Sequence, residues 1–366
     1  MRVPWGQRWI GGFFAHWPGV GKALGDLETR VLGGSIADVR IKSPVFICGL
    51  ARSGSTILLE ALNAHPAFTA HRYSDYPPLW TPYWWNALRA QLPLPKASTH
   101  ERAHADGIRI TPDSPEAFEE VLWMHFFPDC HAPETNQLLD EQTSNPAFEA
   151  FYTAHIRKLL AVRGTARYLS KGNYNIARLA YLRQLFPDAR FLIPVRNPPD
   201  HVASLIKQDR LFRRAAEIEP AVAVQLARIG HFEFGPHKRA QNLGDHDHVR
   251  EIAERHARGD ACGAYALQWA GVYSSALDQL QADPGLAAAC RFVCYERLCQ
   301  EPLATLRDVF AHADAQDEDG ERIIGDFATR MRAPDYYRAD FTAAEYATIA
   351  AITGPVAERL AACESC

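Results

Sequence analysis

Short apolar runs alternate along the chain with longer stretches whose apolar residues recur every three or four positions. Val45-Phe46-Ile47-Cys48 opens the series and predicts a strand over about 44–49. Leu58, Leu59 and Leu62 follow at helical spacing and predict a helix over about 55–64. His65-Pro66 ends it, because the residue before a proline is pushed out of helical geometry. Further apolar runs predict a short strand at 67–70 and buried strands at 167–170, 190–195 and 291–295. Helical spacing covers 174–186, the stretch containing Ser204, a segment with Tyr265 and Trp269, and the remainder of the chain. Strands separated by helices predict an α/β fold: a central parallel sheet with helices on both faces and ligands at the strand C-termini. Two long insertions interrupt it. Residues 71–150 are rich in Trp, Tyr and Pro, and 209–260 in His and Arg. Within the first, Asp113-Ser114-Pro115-Glu116 reads as a helix start, with Ser114 as cap and Glu116 facing the positive dipole end.

Between the first strand and the first helix lies Gly49-Leu50-Ala51-Arg52-Ser53-Gly54-Ser55-Thr56. Glycines let successive N–H groups converge on one spot, and the helix that follows adds its positive end, so an anion is held there by backbone alone. Gly49, Gly54 and Thr56 match the Walker A loop G-x-x-x-x-G-K-[ST], but Ser55 stands at the lysine and the only loop cation is Arg52. Without that lysine, γ-phosphoryl transfer lacks a main charge partner. A transferred sulfuryl group carries less charge, and one arginine with backbone amides suffices for it without a metal.

A second segment repeats the logic. Phe191-Leu192-Ile193-Pro194-Val195 is followed by Arg196, and Ser204 stands eight residues on. A guanidinium fork suits a phosphate bidentately. Together the two segments, "PVFICGLARSGST…LNAHP" and "LFPDARFLIPVRNPPDHVAS", resemble sulfotransferases that use 3′-phosphoadenosine 5′-phosphosulfate, in the pattern of the tyrosylprotein and bacterial branch. Phe292-Val293-Cys294-Tyr295-Glu296-Arg297-Leu298 is similar to that family's "YE-x-L" strand end. The resemblance spans about 44–310. It implies a P-loop NTPase-like fold in which Gly49, Arg52, Ser53, Gly54, Ser55 and Thr56 bind the 5′-phosphosulfate, Arg196 and Ser204 bind the 3′-phosphate, and Tyr295 reaches the nucleotide.

It also implies catalytic groups. A lysine at the position of Lys171 contacts the transferring group, where an ammonium offsets charge on the leaving phosphate. The family's following proline and histidine are replaced, the latter by Asn175. The acceptor's proton needs a base. The tyrosylprotein branch has a glutamate shortly after the "HP" helix end, and here that region holds Asp75 instead, with His71, His104 and Asp106 as rivals.

Composition narrows the partners. A net charge of −4 argues against bulk attraction to nucleic acid, and 47% apolar residues suffice for a packed core. The eight scattered cysteines, including the lone C-x-x-C of Cys363 and Cys366, read as reduced residues of a cytoplasmic protein. Trp5, Trp9, Ile10, Phe13, Phe14 and Trp17 form an aromatic stripe near Arg2 and Arg8. It is expected to pack on the core as an N-terminal arm; the alternative is weak contact of residues 1–18 with a membrane surface. The cluster 231–258 reads as a solvated helix face, with a mobile cover over the donor as the functional alternative; His246 and His248 there lack a third metal ligand.

The expected organisation is an arm (1–43), a sulfotransferase domain (44–310) with the two insertions, and a C-terminal helical segment (311–366) packed on it. The expected reaction moves a sulfuryl group to a hydroxyl or amine of a small-molecule, glycan or lipid acceptor. The alternatives are a P-loop kinase or NTPase, with Glu296 holding magnesium, and a nucleotide-binding protein without catalysis.

Overall fold

The computed structural model describes residues 3–92, 99–102, 109–331 and 339–363. Five strands make the central sheet: β1 (Val45–Cys48), β2 (Phe68–Thr69), β5 (Arg167–Gly172), β6 (Arg190–Val195) and β7 (Cys290–Cys294). Their order is β2-β5-β1-β6-β7 and every pairing is parallel. A two-stranded ribbon, β3 (His100–Glu101) with β4 (Arg109–Ile110), lies in the first insertion.

Strand alternation sorts the core into two layers. Phe46 and Cys48 of β1 join Tyr168, Phe191, Ile193 and Phe292 against the helices Pro146–Arg163 and Ala261–Ala282. Val45 and Ile47 point the other way, with Leu169, Leu192 and Val293, onto the helices Ser55–Asn63, Pro302–His312 and Glu318–Arg330. Each fully buried Leu or Phe contributes roughly 1.5–3 kcal/mol, which holds the sheet between two helical layers. The helix Ala343–Ala361 packs on Ala261–Ala282 and on Pro198–Ile218.

β5 and β6 flank β1 on opposite sides, so the chain crosses over β1 between them. That crossing opens a crevice at the C-terminal end of β1. The first crossover helix, Ser55–Asn63, starts directly beneath it.

Three of the expected elements differ in the structure. The strand expected over 167–170 runs on through Lys171 to Gly172. The helix expected over 174–186 is a 3₁₀ turn, Asn173–Ala177, and a helix, Leu179–Leu185; between them Arg178 turns inward to pair with buried Glu120 at 2.6 Å. The expected helix start at 113–116 is extended backbone: Pro115 bridges Arg72, the Tyr73 amide donates to Ser114 O and the Glu116 amide to His71 O.

The aromatic stripe lies on the helix Trp5–His16, and only Phe14 of it packs against the core. Trp5, Trp9, Ile10, Phe13 and Trp17 face solvent, against the core packing expected for the stripe as a whole. No helix of the described residues is long and apolar enough to cross a membrane.

Candidate active site

The loop after β1 is shaped by three left-handed residues, Gly49 (φ 118°), Arg52 (φ 71°) and Gly54 (φ 98°). Such angles suit glycine and strain arginine. Gly54 has a second constraint: a Cβ there would lie 2.6 Å from the Tyr295 ring. Ser53 is fully buried and donates to Leu50 O at 2.7 Å, so its side chain braces the turn from within. From behind, Nε2 of His201 donates to Ala51 O at 2.8 Å. Burial, with Arg196 and Arg52 nearby, pushes that imidazole down to about 3, so it is neutral.

Arg52 leaves the loop toward the second segment: its Nε donates to Ser204 Oγ at 3.3 Å. Arg196, directly after β6, donates to Arg52 O at 3.4 Å, and its guanidinium lies over the Tyr295 ring, 4.9 Å from the centroid. Its Nε is buried with no hydrogen-bond partner among the described residues. The Arg52 turn and the Arg196/Ser204 pair therefore stand side by side. Strand pairing explains this, since β6 lies next to β1 and β7, which carries Tyr295, next to β6. Glu296 accepts from the Asn197 amide at 3.0 Å and caps the start of the helix Pro198–Ile218.

In front of the loop a cavity of about 250 Å³ is lined by Arg52, Ser55, Thr56, Arg102, Glu116 and Lys171, with Asn175 deeper in its wall. β1 pairs Ile47 with Lys171 in register, which sets the lysine beside the loop. Burial lowers its ammonium below the usual lysine range, and Glu116, whose Oε1 lies 4.0 Å from Nζ, opposes that. Glu116 accepts from the Tyr73 hydroxyl and, at 2.7 Å, from the Ala117 amide. Burial works against its ionisation, but Lys171, Tyr73 and Arg102 outweigh burial and hold it below the usual carboxylate range. Arg102 in turn donates to Thr56 Oγ1 at 3.0 Å. The wall also carries Glu119, Glu120, His231 and Glu233, and a more apolar part is formed by Tyr76, Phe118, Phe212, Val222 and Leu226, with Val3 and Pro4 from the arm.

Asp75 is placed elsewhere. It is buried; Arg163 donates to both its oxygens at 2.8 and 2.6 Å, the Arg72 amide donates at 2.8 Å and Asn86 at 3.1 Å. Burial opposes its ionisation, yet His71 and Arg163 hold it well below the carboxylate range. It does not line the cavity. His71 is also buried, 3.2 Å from His155 Nε2 and 3.5 Å from Asp75. The structure thus sets both residues in a buried cluster with Arg163 and His155 and not in the wall of the cavity. His104 and Asp106 lie outside the described residues. Asn242 Nδ2 donates to His246 Nδ1, and His248 Nε2 donates to Leu267 O, so the two rings serve different partners. Among the described residues only Glu120, Cys130 and His131 bring three metal-type ligand atoms together, and Arg178 already supplies Glu120's countercharge.

The sequence reading missed Arg102 and Glu116 as site residues. Neither follows a strand of the sheet; both hang on the first insertion.

A parallel sheet with a glycine loop after its central strand, and cations at the ends of the flanking strands, defines a P-loop-like α/β protein. The profile of the sulfotransferase family matches residues 44–229, half of the chain, and the chain belongs to that family. Two solved structures share the fold. Sulfotransferase STF1 from Mycobacterium tuberculosis H37Rv aligns over 94% of this chain and 84% of its own, with a TM-score of 0.51 and 14% identity. Sulfotransferase STF9 from Mycobacterium avium aligns over 92% and 81%, with a TM-score of 0.52 and 13% identity. The sequence matches no curated protein.

Proposed function

We propose that the protein transfers the sulfuryl group of 3′-phosphoadenosine 5′-phosphosulfate to a hydroxyl or amine of an acceptor held in the cavity. The observation that carries this reading is the contact of Arg52 with Ser204, which sets the Arg52 loop and the Arg196/Ser204 pair within reach of one ligand. The loop amides and Arg52 would take the 5′ end, Arg196 and Ser204 the 3′-phosphate, and Tyr295 the space beside them.

In the proposed step the acceptor's proton passes to the Glu116 carboxylate as its oxygen or nitrogen attacks sulfur. The bond from sulfur to the bridging oxygen breaks, and its electron pair stays on the 5′-phosphate. Lys171 and Arg52 offset that charge. Glu116 is ionised at neutral pH, faces Lys171 across the cavity and is held by Tyr73. It takes the role first expected of Asp75 and supplies the base whose loss a non-catalytic protein would show.

The test is transfer of radiolabelled sulfate from the donor into pooled candidate acceptors, comparing wild type with Arg52→Ala, alongside calorimetry with 3′-phosphoadenosine 5′-phosphate. Labelled product from wild type alone supports the reading. Magnesium-dependent ATP turnover without sulfated product overturns it.

A further inference from the structure

Helices of soluble proteins ordinarily turn their large apolar side chains inward. The helix Trp5–His16 does the reverse. Its buried residue is Gly11, where a Cβ would lie 2.5 Å from the Tyr76 hydroxyl. Gly21 and Gly25 do the same for the next helix, Pro18–Ala37, where a Cβ would meet the Trp80 indole at 2.5 Å or the Phe151 ring at 2.8 Å. Glycines seat both helices flush against the body, and the large residues are left outside. Trp5 is 75% exposed, Trp9 66% and Trp17 57%. Ile10, Phe13, Val20, Leu27 and Val31 are exposed as well.

The arrangement is pinned from within. Glu28 and Lys158 are both fully buried and pair at 2.9 Å; the Trp84 amide donates to Glu28 at 2.6 Å, and Lys158 donates to Gly25 O at 3.0 Å. Rolling the second helix to cover its apolar residues would break this pair apart inside the protein, at high cost.

The occupant follows from chemistry. An indole joins an apolar ring to one N–H donor, which suits the boundary between headgroups and acyl chains. Residues 1–25 contain Arg2, Arg8 and Lys22 and no carboxylate, in a chain whose net charge is −4. Arg8 and Lys22 pair at or near the surface, Lys22 with Asp26 at 2.6 Å and Arg8 with Glu219 at 3.9 Å, and such contacts are weak. The face is also continuous with the site, because Val3, Pro4 and Gln7 at its leading end line the cavity. We propose that the exposed aromatic face of the two N-terminal helices docks the protein on an anionic lipid bilayer, with the apolar end of the cavity beside the lipid.

The test is co-sedimentation of the full chain with vesicles, either phosphatidylcholine alone or an equimolar mixture with phosphatidylglycerol. Wild type is expected to bind the mixed vesicles best, and the triple variant Trp5→Ser/Trp9→Ser/Trp17→Ser to bind them at least about tenfold more weakly. The replaced side chains are exposed, and unchanged binding of 3′-phosphoadenosine 5′-phosphate shows that the variant is folded. Wild type that stays in the supernatant, or a variant that sediments equally, overturns the proposal. So does a lipid-free dimer that the variant converts to monomer, because a second copy would then own the face. Nucleotide binding is read independently, so failure here leaves the sulfuryl-transfer reading intact.

Discussion

Glu116 and Lys171 face each other across the cavity, carboxylate oxygen to ammonium nitrogen at 4.0 Å. One comes from the insertion and the other from a sheet strand, so the pair ties the insertion to the sheet beside the loop. Glu116→Gln keeps the shape and the Tyr73 contact but removes the proton acceptor. Sulfated-product formation is expected to fall about 100-fold or more, with the affinity for 3′-phosphoadenosine 5′-phosphate within a few-fold of wild type. Asp75→Asn is expected to lower the melting temperature and leave turnover nearly unchanged. The reverse pattern in the two variants would restore Asp75 as the base.

Arg196 carries the test of the 3′ end. Loss of a charge-assisted bond to phosphate costs about 1.5–3 kcal/mol, so Arg196→Ala is expected to raise the dissociation constant for 3′-phosphoadenosine 5′-phosphate about 10–100-fold. Adenosine 5′-phosphate, which lacks the 3′ group, should bind both proteins alike. Calorimetry on the two nucleotides checks this, and equal losses on both would count against the assignment.

The Glu28–Lys158 pair sets up a stability test. Removing one partner leaves a buried charge unpaired, and Glu28→Gln is expected to cost about 3–5 kcal/mol. The double variant Glu28→Leu/Lys158→Met, apolar at both positions, should recover most of that in denaturant melts. Additive losses would mean that the pair is not coupled.

Acid should destabilise the fold early. His201 is pushed down to about 3 and His155 well below the usual imidazole range, both chiefly by burial. An unfolded chain binds those protons near pH 6.5. Between there and the folded values the unfolded state holds more protons, so stability falls as the pH drops through about 6.5. Each such histidine loses about 2 kcal/mol by about pH 5. Denaturant midpoints across that interval measure it, and a flat profile would contradict the burial of these rings.

Much of the sheet was readable because its strands are continuous apolar runs, buried on both faces; 190–195 matches β6 residue for residue. The cations at strand ends were readable for the same reason, since a polar residue that closes such a run reaches the crevice. Glu116 was not. Its Asp-Ser-Pro-Glu setting has the composition of a helix cap, and the backbone there instead runs beside 72–73, a pairing that local sequence does not encode. The surroundings of Asp75 were hidden too: its ion-pair partner, Arg163, is supplied by a helix far along the chain. The tryptophan stripe has the right period for a core-facing helix, and only the inward glycines reverse its direction.

The register that couples Ile47 to Lys171 has a further consequence. The groups expected to grip the donor sit at the ends of β1, β5, β6 and β7 or on the turns and helices that directly follow them, while Arg102 and Glu116 belong to the insertion. On the proposed reading, rebuilding the insertion away from the Arg102–Thr56 and Glu116–Lys171 contacts would change which acceptor fits and leave the donor's grip in place.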